Sequence, residues 1–135
     1  MIETKNFLLF MQQAVDKAIK DICQKLATAH VFKPFPVGVG ITKVQNLIGK
    51  AKKTPIRKPN DFRIIDYKYS IDFNKSIFVE LTDDEQLEAI IHEVAHVFVA
   101  KYVTNPSDLT GHGPAWRSIM KLYNLEPRTC LKDKK

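Results

Sequence analysis

Between Ala89 and Ala100 the chain is apolar at every position except His92, Glu93 and His96. If this stretch is helical, it is apolar on most of its circumference, and such a helix must lie at the centre of a domain, packed on several sides. Its start is well marked. Thr82-Asp83-Asp84-Glu85 fits a capping box, with the Thr82 hydroxyl accepting from the backbone at position 85 and the Glu85 side chain reaching back. Asp83 and Asp84 suit the positive end of the helix dipole. Burying two imidazoles and a carboxylate in such a core without partners is costly, and a bound metal ion supplies the missing compensation. Positions 92 and 96 project from one face a turn apart, so both rings can reach one ion with Glu93 beside them. This spacing is half of a hydrolytic zinc site.

Catalytic zinc commonly keeps three protein ligands and one open position, so a third donor is needed. The pattern that places a third histidine six residues after the second fails, because that position is Tyr102 and the glycine it requires at 99 is Val99. A glutamate on a following helix, as in thermolysin-type sites, leaves Glu126 or Asp108 as stand-ins, neither in a helical context. His112 is better placed. Gly111 and Gly113 let the backbone turn tightly around it, and Pro114 suits the first position of a final helix through Tyr123. His30, just ahead of the break at Lys33-Pro34-Phe35-Pro36, reads as structural or exposed.

The rest of the chain predicts an α+β domain. Leu8, Met11, Val15, Ile19, Ile22 and Leu26 recur at spacings of three and four, which predicts an amphipathic helix from Thr4 to about Ala29. A small, largely antiparallel sheet of two to four strands is expected next: Val37 to Leu47, a basic loop or hairpin tip over Gly49 to Asn60, and Phe62 to Phe73. Ser76 to Leu81 reads as a last short strand or an extended lead-in. Thr104 to Gly111 is a loop by composition.

The formal charge of +6 is unevenly placed. Lys43, Lys50, Lys52, Lys53, Arg57 and Lys58 fall in a segment with no acidic residue, and Lys132, Lys134 and Lys135 crowd the C-terminus. The first run is either a solvated hairpin or a nucleic-acid-binding surface. With no aromatic residue inside it, the second reading means phosphate contacts and salt-sensitive binding. Two distant cysteines, Cys23 and Cys130, argue against a disulfide framework and fit a reducing compartment, cytosolic or nuclear. No stretch reaches the roughly 20 apolar residues a membrane span requires, and no membrane partner is expected.

His92-Glu93-Val94-Ala95-His96, followed after a loop by Gly111-His112-Gly113-Pro114-Ala115-Trp116, resembles the SprT-like family of zinc metallopeptidases, including its eukaryotic branch, Spartan. The resemblance is strongest over 85–124 and looser upstream, around Ile71-Asp72-Phe73. It implies a zincin-like minimal metallopeptidase domain with one catalytic zinc ion on His92, His96 and His112, Glu93 as general base, and a protein substrate, with proteins held on DNA as the class that the Spartan branch suggests. Many bacterial members carry a Cys-rich zinc ribbon after the catalytic part. With Cys130 alone, this chain is expected to be a single catalytic domain over 1–135 without the ribbon, and a monomer. Tyr67, Tyr69, Tyr102, Tyr123 and Arg117 are open as donors to a developing oxyanion. The alternative class is a zinc-stabilised nucleic-acid-binding module, against which the intact Glu93 argues, since a purely structural site has no need of it.

Overall fold

The computed structural model describes residues 3–26, 32–102 and 112–126. Its first element, α1 (Thr4–Lys25), buries Phe7, Met11, Val15, Ala18, Ile19, Ile22 and Cys23 along one stripe. That stripe is rotated slightly from the expected one, with Phe7 rather than Leu8 inside, and Phe7 meets Phe78 edge-on. The expected extension to Ala29 and the reading of His30 lie outside the described residues.

Three strands follow, β1 (Val37–Ile41), β2 (Gly49–Arg57) and β3 (Ile64–Phe73), in the order β1-β3-β2. The segment expected as a loop is thus mostly strand, and β2 forms an antiparallel hairpin with β3. The sheet is mixed rather than mainly antiparallel, because β1 runs parallel to β3. The cause is the connection over 42–48, which steps across the end of β3. Thr42 N–H donates to Phe73 O at 3.0 Å, Asn74 N–H donates to Ile48 O at 2.8 Å, and the Asn74 side-chain amide donates to Val44 O at 3.0 Å. β2 therefore lands beyond β3 instead of beside β1.

Alternation along the strands separates two faces. Val37, Tyr69, Ile71 and Phe73 turn to the core, whereas Asp72 faces outward and pairs with Lys52 at 2.7 Å. Past Lys53 the hairpin runs clear of the helices, and Ile56, Phe62, Ile64 and Ile65 are exposed, Phe62 by 89%.

The stretch expected as a last strand holds instead a short helix, α2 (Lys75–Phe78), capped by Asn74, whose side chain accepts from Ile77 N–H at 3.2 Å. Asn74 is a strong N-cap, and this local bond outweighs the β-branched residues that follow. The capping box at Thr82 forms as read, with Thr82 N–H donating to Glu85 Oε1 at 2.9 Å and Glu85 N–H donating to Thr82 Oγ at 3.2 Å. It opens α3 (Asp83–Tyr102), which is buried from Glu88 to Val99 except at half-buried His96. The last described helix, α4 (Pro114–Leu122), begins with Pro114 and packs Trp116, Ile119 and Met120 inward. Among the described residues the domain is α+β, with four helices and one three-stranded sheet.

Candidate metal centre

The central helix delivers His92, Glu93 and His96, and the turn into α4 delivers His112. Each histidine offers a ring nitrogen, and the three nitrogens lie within 4.8 Å of one another, close enough to hold one metal ion. The rings cluster with centroids 5.0 Å apart for His92 and His96, 5.3 Å for His92 and His112, and 4.8 Å for His96 and His112. His92 Nδ1 and His112 Nε2 are buried without a hydrogen-bond partner. Unpaired buried nitrogens are what a ligand set should show before it is given an ion. Burial holds His92 down at about 3 and His96 at about 4, with their neighbouring histidines adding to the effect. His112 is lowered too, by burial and then by the Arg117 charge. All three imidazoles are therefore neutral near pH 7, with lone pairs available, so the donor set fits a zinc ion.

Trp116 braces the cluster. Its indole N–H donates to the His92 backbone carbonyl at 3.1 Å, and its ring stacks on His96 with 23° between planes. It also meets His92 and His112 edge-on, at 4.9 and 4.5 Å between centroids. Arg117 holds the other side, donating through Nε to the His112 carbonyl at 3.1 Å. One turn of α4 thus orients ligands from two separate elements.

Glu93 is 7% exposed and turns toward β2. Burial pushes its carboxyl up to about 7, while the Ala51 backbone N–H, donating to it, pulls the other way. A Cβ on Gly49 would fall 3.0 Å from Glu93 Cγ, so glycine is what lets strand and carboxyl approach this closely. An N–H given to Glu93 points away from β3, which places Ala51 among the residues whose backbone groups line the free edge of the hairpin. By alternation Lys53 and Pro55 belong to the same set. Proline is tolerated there because its missing N–H removes no bond within the sheet.

That free edge forms one wall of a cleft of about 350 Å³, lined by Gly49–Lys53 on one side and by His92, Glu93, His96, Val97, Ala100 and His112 on the other. Nothing in the composition signals that a strand edge flanks the histidines. Of the open oxyanion donors, none lines this cleft. Tyr102 is hydrogen-bonded to the Lys33 backbone, Tyr69 is buried under Phe35, Tyr123 borders a separate groove beside α1, and Tyr67 lies beneath Lys53. Arg117 is committed to His112. Glu126 lies past the end of α4, and Asp108 lies outside the described residues.

The six basic residues of the 43–58 segment do not form one patch. Lys43 sits in the connection before β2, Lys50, Lys52 and Lys53 line the cleft wall, and Arg57 and Lys58 lie at the far end of the hairpin. At about 3.4 Å per residue, the strand separates its ends by roughly 27 Å. No described helix is long and apolar enough to cross a membrane.

Three imidazoles converge beside a buried carboxyl, on a helical His-Glu-x-x-His scaffold and in an open cleft, close enough to hold one metal ion. The family model of the SprT-like family matches residues 22–134, so the chain belongs to that zinc metallopeptidase-like family. The match reaches well upstream of the two histidine motifs and takes in the whole sheet. No curated protein and no solved structure matches the chain.

Proposed function

We propose that the protein is a zinc-dependent endopeptidase of zincin-like architecture, with His92, His96 and His112 holding one Zn2+ and Glu93 acting as general base. The observation that carries this reading is the convergence of one ring nitrogen each from His92, His96 and His112 within 4.8 Å, with the buried Glu93 next to His92 on the same helix. Bound zinc supplies Lewis acidity, polarising a carbonyl and making water a better proton donor. Glu93 takes the proton from the attacking water and delivers it to the departing amine. Ala51 N–H and the bare backbone of Gly49 keep its carboxyl at the strand edge. The same edge offers the Ala51 carbonyl and the Lys53 N–H and carbonyl to an extended chain, which favours a polypeptide over a small molecule as substrate.

We further infer that proteins held on DNA are among the substrates. Arg57, which donates to the Phe62 carbonyl, and Lys58 share the end of the hairpin with the exposed Phe62 and with Arg63, itself paired to Asp61, a set that can meet phosphates and one base face. The reading as a zinc-stabilised nucleic-acid-binding module draws on the same hairpin.

The test is zinc content and proteolysis of wild type, Glu93→Gln and His112→Ala, with and without single- and double-stranded DNA. We expect Glu93→Gln to keep zinc and lose cleavage, and His112→Ala to lose zinc. Salt-dependent DNA binding without cleavage, in wild type and Glu93→Gln alike, would favour the binding module. Full zinc retention in His112→Ala would overturn the site assignment.

A further inference from the structure

The metal cleft has two ends, and one of them is cationic. Lys53 stands on the cleft wall with its ammonium 4.2 Å from the centre of the Tyr67 ring. Lys101 follows directly after Ala100, the last residue of α3 to line the cleft, and its ammonium lies 6.0 Å from the Tyr69 ring and 5.9 Å from the Phe35 ring. Tyr69 is the β3 partner of Lys53 and lies on the same face as Tyr67, so Lys53 from β2 and Lys101 from α3 reach neighbouring rings of one aromatic strip, Lys101 just beyond the cleft lining. The ring faces hold the ammonium groups in place without cancelling their charge.

The other lysines of the cleft wall, Lys50 and Lys52, differ, since both alternate to the face opposite to Lys53 along β2. Lys52 points to the outer face of the sheet and is paired with Asp72 at 2.7 Å. Among the described residues no carboxylate lies within ion-pair distance of Lys53 or Lys101. Asp66, the nearest acid along β3, belongs to the outer face, and its Oδ1 accepts from Tyr67 N–H. Among the described residues the only acid lining the cleft is Glu93, which stands beside the three histidines.

We propose that this end of the cleft is a subsite for an acidic side chain, with Lys53 and Lys101 selecting an Asp or Glu a few residues to one side of the scissile bond in an extended polypeptide. The proposal rests on the endopeptidase reading for its substrate and deepens it. A chain added along the free edge of β2 beside Ala51 carries its next inward-facing side chains past Lys53, about 7 Å further on at ~3.4 Å per residue. An acid there meets two cations that have no counter-ion among the described residues, and a basic residue meets repulsion. The partner is therefore an acidic stretch of polypeptide.

The experiment uses zinc-loaded Glu93→Gln protein and fluorescent peptides that differ only in a Glu-Glu, Gln-Gln or Lys-Lys pair, with binding read by anisotropy at two salt concentrations. The Glu peptide should bind about three- to fivefold more tightly than the Gln peptide at low salt, and the margin should narrow at high salt. Adding Lys53→Gln should remove the preference, Lys53→Arg should restore it, and Lys53→Glu should reverse it toward the Lys peptide. Lys20→Glu, the same charge change on the exposed side of α1, should leave the preference intact. Cleavage-site profiling of wild type on a denatured proteome should show Asp and Glu enriched on one side of the scissile bond.

Equal binding of Glu and Gln peptides, or a preference that survives Lys53→Gln, would overturn the subsite. So would displacement of the peptide by a single-stranded oligonucleotide whose own binding depends on Lys53, because the lysine pair would then serve phosphate. A Lys53-dependent preference in a wild-type protein that cleaves nothing would instead overturn the endopeptidase reading and leave the subsite standing.

Discussion

The Trp116 indole donates to the backbone carbonyl of His92 across 3.1 Å, joining the last described helix to the ligand-bearing turn of the central one. Trp116 is fully buried, and its ring also contacts His96 and His112. One side chain therefore fixes the relative placement of three ligands that come from two elements. Metal sites depend on such outer partners nearly as much as on the ligands themselves.

Replacing Trp116 with Phe should keep much of the packing and remove the indole donor. We expect zinc affinity to fall about tenfold or more, read by competition with a chromophoric chelator, in a protein that still folds. Trp116→Ala should in addition destabilise the domain by about 3–5 kcal/mol, the usual range for emptying a buried aromatic site. Unchanged zinc affinity in Trp116→Phe would mean that the bond to His92 plays no part in ligand placement.

Gly49→Ala places a methyl group 3.0 Å from Glu93 Cγ, so either the strand or the carboxyl must shift. Zinc binding should persist, because the ligands lie elsewhere, while kcat for peptide hydrolysis should fall at least tenfold as the base moves off its line. A variant with normal kcat would show that the position of Glu93 against β2 is not needed.

The metal-free protein should lose stability as it is acidified. The folded-state values of His92 and His96 are depressed to about 3 and about 4, so below pH 6.5 the unfolded chain binds protons that the folded one does not. Stability from these two groups is fully present above pH 6.5 and is lost as the pH falls toward their folded values. Glu93 works in the opposite sense. Raised to about 7 in the fold, it is protonated there while still ionised in the unfolded chain, and it offsets part of the loss between about pH 7 and 4.5. The melting temperature of the apo-protein should therefore fall between pH 6.5 and 4, and more steeply above pH 5 in Glu93→Gln. A melting temperature that rose on acidification would contradict the burial of neutral histidines.

Thr82→Ala removes the hydroxyl that accepts from Glu85 N–H at the start of α3. The expected loss is about 1 kcal/mol of unfolding free energy in denaturant titration, with zinc stoichiometry unchanged, since His92 lies more than two turns further along. A loss of zinc binding at full stability would show that the cap acts on the site itself.

Much of the site was legible in the chain because its signals are local. His92, Glu93 and His96 share one helical turn, and the Thr82–Glu85 box and Pro114 mark where their helices begin. His112 was reached through its glycine neighbours and the failure of the commoner third-ligand positions. The lysines and prolines of Gly49 to Asn60 point to a loop or hairpin tip, and the tip lies only beyond Arg57, at the end of a long strand. These residues are poor in β propensity, yet an edge strand tolerates them where side chains face water and a missing N–H faces outward. The mixed sheet was hidden for a related reason: pattern says which residues face inward, not which strand lies beside which.

The sequence by itself determined the central helix, its capped start, the two histidines and the glutamate it carries, and the glycine-flanked third histidine. Each of these rests on residues within one or two turns of chain, where periodicity and capping operate. Only the tertiary structure decided that β2 passes β3 and presents its free edge to Glu93, that Gly49 sits against the carboxyl, and that Trp116 spans the three histidines. It alone brought Lys53 and Lys101 to the neighbouring rings of Tyr67 and Tyr69 from positions 48 residues apart in the chain. Such contacts follow from how a strand crosses over the end of its neighbour and how one helix seats against another. Those choices are made by packing across the whole core, and no local run of residues encodes them.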